Sequence, residues 1–157
     1  MAFAARTVLA MARLPRYVLP DGVFHVVARG VEKRPIYLDD EDYVFFLRLL
    51  LGAGRSLRWT FHALCLMRNH YHLVLETSVA RLSEGMHRLN GRYAEEFNRR
   101  HERVGHLFGD RFAAYPIEDE QYLADACRYV ILNPVRAGLC ATAGQWRWSG
   151  SRYGLDV

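Results

Sequence analysis

Hydrophobic positions along this chain change period several times, and each change marks an expected element. The run Val23 to Arg29, closed by Gly30, predicts a first strand. Asp39, Asp40, Glu41 and Asp42 then crowd what reads as a helix start, where carboxylates favour the dipole. Tyr43, Phe46, Leu47 and Leu50 repeat behind them at helical spacing, and Gly52 to Arg55 is expected to end that helix. Trp59 to Leu66 and His70 to Glu76 predict two further strands. Only Met67-Arg68-Asn69 separates them, so they should pair as an antiparallel hairpin. A long helix is expected from about Ser78 to Arg100, with Leu82, Met86, Leu89, Tyr93 and Phe97 as its apolar stripe. Its arginines, Arg88, Arg92, Arg99 and Arg100, read as a solvated face balanced by Glu84, Glu95 and Glu96. Arg103 to Asp110, with Gly105 and Gly109, predicts a loop, and Arg111 to Ile117 a fourth strand. Glu118, Asp119 and Glu120 open a last main helix, expected to stop at Asn133 because Pro134 disfavours helix at the residue before it. A tail with Trp146, Trp148 and Tyr153 closes the chain.

Strand, helix, hairpin, helix, strand, helix is an α+β plan: one antiparallel sheet with helices mainly on one face. A ferredoxin-like (RRM-like) sheet is expected, whose open face could carry nucleic acid. The 157 residues are about the size of one domain. That domain is read over 13–157, with 1–12 a flexible or mis-annotated N-terminal extension rather than a targeting signal.

Composition narrows the class. Half of the residues are apolar, which is globular rather than disordered. No run approaches the roughly 18 apolar residues of a membrane span, so no membrane partner is expected. Cys65, Cys127 and Cys140 are odd in number and lack paired spacing. They therefore predict neither a disulfide framework nor a zinc ribbon, and the cytoplasm is the default compartment. The formal net charge of +4 permits a nucleic-acid partner. Lys33 is the only lysine, and the planar fork of arginine suits phosphate, although genomic codon bias would give the same composition.

Candidate chemistry sits in two stretches. His70 and His72 lie two apart in a strand-like run, so they share one face with Cα atoms ~7 Å apart, and both rings can converge on one ion. Tyr129 and Asn133 lie four apart on the last helix and are neighbours on one face. The Asn133 amide oxygen is a hard ligand suited to Mg²⁺ or Mn²⁺. If that helix packs against the histidine face, three ligands and one phenol meet at one point. A cation there would polarise a phosphate and favour attack by the phenol. Each pair also has an ordinary structural reading: packed core histidines, and an aromatic core position followed by a helix C-cap.

Beyond these pairs, five stretches taken in order are specific: Phe24 to Gly30, Met67 to Leu73, Gly105 to Phe112, Arg128 to Leu139, and Trp146 to Ser149. With them the chain resembles the REP-associated tyrosine transposases, members of the HUH group related to insertion-sequence-200-like transposases. The resemblance covers roughly Arg13 to Tyr153. It implies that His70, His72 and Asn133 bind a divalent metal, Mg²⁺ or Mn²⁺, and that Tyr129 is the nucleophile. It implies single-stranded DNA folded into a palindromic hairpin as partner. The expected activity is nicking and joining through a 5′-phosphotyrosine, by a monomer or a homodimer. Tyr71 departs from the motif, whose middle position is usually aliphatic, but it should point away from the histidines. Arg29, Arg111 and Arg136 match basic positions of the family, which fits phosphate contacts and fits pairing with acidic neighbours equally well. Two other functions compete: a non-catalytic, domesticated regulator that binds hairpin DNA, and a hydrolase using activated water.

Overall fold

A computed structural model describes residues 21–154; the expected extension over 1–12 lies outside them. The elements run β1 (Gly22–Arg29), α1 (Asp40–Leu57), β2 (Thr60–Leu66), β3 (His70–Thr77), α2 (Val79–Arg100), β4 (Ala113–Ile117), α3 (Glu120–Ile131), a single turn α4 (Asn133–Arg136) and β5 (Ser149–Ser151). The strands form one sheet in the order β4-β1-β3-β2-β5, and every neighbouring pair is antiparallel. The first four strands have the ferredoxin-like order that the pattern predicts, and β5 extends the sheet beyond β2.

Side-chain alternation divides the sheet into two unlike faces. Phe24, Val26, Tyr71, Leu73 and Leu75 project into the larger core, where Tyr43, Phe46 and Leu50 of α1 and the expected stripe of α2 meet them. Tyr71 is fully buried there and donates its hydroxyl to Asn90 Oδ1 at 2.6 Å. It does point away from the histidines. Trp148 from the tail stacks on Tyr43 at 4.5 Å and closes this core. On the other face, Ala126, Cys127, Val130 and Ile131 of α3 pack on Ala63, Cys65, Met67, Val74 and Ile117. Two of the three long helices thus share one face, while α3 covers part of the face expected to be open. Its own apolar stripe requires this burial.

Local signals set the helix starts. Asp39, Ser78 and Asp119 each accept a hydrogen bond from the backbone N–H three residues on, at 3.1, 3.3 and 2.7 Å. The ends of α1 and α3 depart from expectation. Helix α1 does not stop at Gly52 to Arg55 but runs to Leu57, where Arg58 turns left-handed with φ 56°. Gly54 is there for packing: a Cβ would sit 2.5 Å from the Phe61 ring. Helix α3 ends at Ile131, and Pro134 lies in the first turn of α4. The missing N–H of proline costs nothing at that position.

Candidate functional site

Strands β1 and β3 pair with Arg29 opposite His70, Val27 opposite His72 and His25 opposite Val74. Residues directly opposite in an antiparallel pair share a face. Arg29, His25, His70 and His72 therefore stand together on the face that α3 partly covers. The His70 and His72 rings lie 5.0 Å apart, nearly perpendicular. Tyr129, from the last turn of α3, presents its ring edge-on at 5.9 Å from His72 and 6.0 Å from His25. The structure thus brings three of the four residues read as catalytic or metal-binding to one place. It also adds His25, to which the sequence reading gave no role.

The hydrogen bonds define the chemistry of the imidazoles. Asn69 Nδ2 donates to the Lys33 carbonyl at 3.1 Å, so its Oδ1 is the atom facing His70. That oxygen lies 2.6 Å from His70 Nδ1 and only accepts, so Nδ1 carries the proton and Nε2 is left with a bare lone pair. His72 Nδ1 lies 2.9 Å from His25 Nε2, and the two rings stack at 5.1 Å. Burial pushes the His25 imidazole down to about 4. Burial, with the Arg29 charge added, holds His70 at about 4. His72 lies well below its ordinary value for the same reason, and both neighbouring imidazoles add to the effect. All three rings are therefore neutral at pH 7, the form in which imidazole binds a metal.

Asn133 contacts the end of its own helix. Its Nδ2 donates to the carbonyls of Tyr129 at 3.0 Å and Val130 at 3.3 Å. Its Oδ1 has no hydrogen bond among the described residues. Among the described residues, the hydrogen bonds of the Asn133 side chain all go to its own helix. Arg136 lies over the Tyr129 ring at 4.7 Å and donates to the Tyr129 carbonyl at 3.1 Å. Arg111 is placed elsewhere, lining an open cavity of about 880 Å³ between α2 and the segment before β4. Arg29, Arg111 and Arg136 are exposed, and none pairs with a carboxylate among the described residues.

A second group has ligand-like geometry. Asp39, Asp42 and His101 bring one donor atom each within 4.8 Å of one another. The oxygens of this group already have partners, however. Arg100 Nη1 donates to Asp39 Oδ1 at 2.7 Å and Asp42 Oδ1 at 2.6 Å, and Nη2 to Asp39 Oδ2 at 2.8 Å. Leu38 N–H donates to Asp42 Oδ2 at 2.8 Å, and His101 Nε2 reaches the same carboxylate. This is an ionic joint tying the start of α1 to the end of α2. It corrects the reading of Arg100 as one of the solvated charges of α2. Arg88 and Arg99 do pair with Glu84 and Glu96 on the exposed face.

No helix among the described residues is long and apolar enough to cross a membrane. No curated protein matches the chain. Among solved structures, the fold is similar to that of a REP-associated tyrosine transposase bound to a REP hairpin. That likeness has a TM-score of 0.68 and 16% identity, and covers 88% of this chain and 82% of the other. The described family "Transposase IS200 like" matches residues 20–132, a span that contains His25, His70, His72 and Tyr129 and stops one residue before Asn133. With most of its length matched, the chain belongs to the IS200-like transposase family.

Proposed function

We propose that this protein nicks and rejoins single-stranded DNA at hairpins, with Tyr129 as the nucleophile. The observation that carries this reading is the edge-on approach of the Tyr129 ring to His72 at 5.9 Å, beside His70. Tyr129 Oη attacks the scissile phosphorus, and the bond from phosphorus to the 3′ oxygen breaks. The phenol proton passes to water, and the departing 3′ oxygen takes one from water. A 5′-phosphotyrosine and a free 3′-hydroxyl result. One phosphate ester replaces another, so attack by a 3′-hydroxyl reverses the step and releases Tyr129. That economy suits joining better than degradation.

The side chains fit a divalent metal: two neutral imidazoles, His70 and His72, each with a partner at Nδ1, and in Asn133 a carboxamide oxygen with no hydrogen bond among the described residues. Mg²⁺ or Mn²⁺ held by His70, His72 and Asn133 would supply Lewis acidity at the phosphate. Arg29 and Arg136, exposed beside the histidine face without carboxylate partners among the described residues, hold backbone phosphates and orient the strand. Arg111 lies apart from these two, at the cavity beside α2, and would meet phosphate there rather than at the histidine face. The hairpin preference draws support from the fold shared with a transposase bound to a REP hairpin. His70, His72 and Tyr129 meet within one chain, which supports a site complete in a single copy.

Incubating a labelled hairpin oligonucleotide with the protein and Mn²⁺ should give a covalent adduct that survives denaturing electrophoresis. Tyr129→Phe should abolish it. An adduct that persists in Tyr129→Phe overturns the assignment of the nucleophile. Free 5′-phosphate ends without adduct would identify water as the nucleophile instead. Binding without cleavage under any metal would favour a regulator.

A further inference from the structure

We propose that His25 is a positioning residue for His72: it accepts the Nδ1 hydrogen of His72 and so fixes the tautomer and ring orientation in which Nε2 is bare. The inference rests on the metal-site reading above and extends it to a residue in a different strand.

The two histidines of β3 face the same problem. A neutral imidazole carries one proton, and it binds a metal only through the nitrogen without it. His70 is held by an acceptor next to it in the chain, Asn69 Oδ1, itself locked by the Lys33 carbonyl. His72 has no such neighbour in sequence. Its flanking residues, Tyr71 and Leu73, point into the opposite core. The partner of its Nδ1 comes instead from β1, where His25 Nε2 stands at 2.9 Å. The stacked rings, 28° from parallel, keep His72 from turning about its χ2. Metal-bound histidines as a rule donate their other N–H to a fixed acceptor, and here both candidate ligands have one.

His25 could instead be a third ligand, but the geometry opposes this. Its Nε2 is the atom engaged with His72, and it is 8% exposed, closed in by the rings of Tyr115 and Tyr129. Nor do the three imidazoles gather one nitrogen each about a common point. Among the described residues, the group of three donors within 4.8 Å of one another is Asp39, Asp42 and His101. A purely apolar role is also a poor account: a phenylalanine or leucine would fill the space, and only an acceptor completes His72.

The test uses the full chain and Mn²⁺ itself, with free Mn²⁺ read by electron paramagnetic resonance. His25→Ala should weaken Mn²⁺ binding by ~10–100-fold. His25→Gln, whose Oε1 reaches about as far as the imidazole Nε2 and also accepts, should recover most of that loss. In metal-free wild type, ¹⁵N spectra of the histidine rings should show His72 protonated on Nδ1, and this reading needs no variant to fold. Wild-type affinity in His25→Ala, equal losses in the alanine and glutamine variants, or a His72 ring protonated on Nε2 would each overturn the proposal. If His70→Ala and His72→Ala leave Mn²⁺ binding unchanged, the metal site itself fails, and the inference with it.

Discussion

The joint between α1 and α2 and the imidazole group on the far face of the sheet both bury ionisable side chains, by opposite means. At the joint, charge is met by charge. The Arg100 guanidinium beside Asp39 holds that carboxyl at about 2, and Asp42, 3% exposed, receives Arg100, His101 and a backbone N–H. On the sheet, burial pushes the imidazoles into their neutral form; Asn69 Oδ1 meets Nδ1 of His70, and Nδ1 of His72 pairs with Nε2 of His25. By distance alone the joint looks more like a metal site. By lone pairs it is the poorer one, because its oxygens are engaged and Arg100 already supplies the positive charge. Closeness of donor atoms therefore says less about ligation than which nitrogens and oxygens remain free.

Exchanging the roles of the two groups by mutation should give the largest contrast. Asp42→Ala takes the acceptor from the Leu38 N–H and from His101 and leaves Arg100 with Asp39 and Glu41, and it should cost about 1–3 kcal/mol in urea unfolding. Mn²⁺ affinity should not change. His72→Ala should do the reverse for the metal: Mn²⁺ binding collapses, and any loss of stability comes from the cavity left by the ring. Loss of Mn²⁺ binding in Asp42→Ala at unchanged stability would move the metal to the joint.

Acid should separate the two groups next. With chelator present, the unfolded chain binds a proton at His25 from about pH 6.5 downward, while the folded chain does so only near 4. The unfolded state thus holds more protons across that window, and stability falls as pH drops through it. His25 alone accounts for about 3 kcal/mol, and His70 acts in the same direction. Asp39 also has a lowered pKa, but its contribution is present above the unfolded carboxylate value of ~3.9 and is lost as pH falls through about 2. Its side chain is 45% exposed, so the effect is screened and smaller. Urea midpoints should therefore decline from pH 6.5 to 4 and again below that. A flat profile between 6.5 and 4 would contradict the neutral burial of the imidazoles.

Period and punctuation made much of this legible in the sequence. The α2 stripe, the acidic cap residues and the short link between β2 and β3 are local signals, and each is realised. What escaped depends on partners far along the chain. Gly54 reads as a helix stop because nothing nearby reveals that Phe61 needs its space. Arg100 looks like one more surface charge until α1 is set beside the end of α2. His25 carries a period signal, since it alternates with the apolar Phe24 and Val26. Only the register of β1 on β3, however, brings it to His72. Strand β5 is three residues of Ser-Gly-Ser with no hydrophobic pattern, ordered by pairing with Ala63 to Cys65.

Asn133 stands between the two kinds of group, and its variants should give the smallest effects while sharpening the contrast most. Its Nδ2 serves the fold, bonding two carbonyls at the end of α3, and its Oδ1 is the atom free for a ligand. Asn133→Ala removes both functions. It should lower stability by about 1 kcal/mol and weaken Mn²⁺ binding. Asn133→Asp keeps an oxygen but cannot donate when ionised, and it sets a negative charge near a helix C-terminus. It should lose similar stability yet retain Mn²⁺ affinity. Calorimetric titration and urea unfolding of both variants separate the roles, because a carboxamide acting only as a cap would leave Mn²⁺ binding untouched in each. Equal loss of affinity in the two would mean that the oxygen is not what the metal needs.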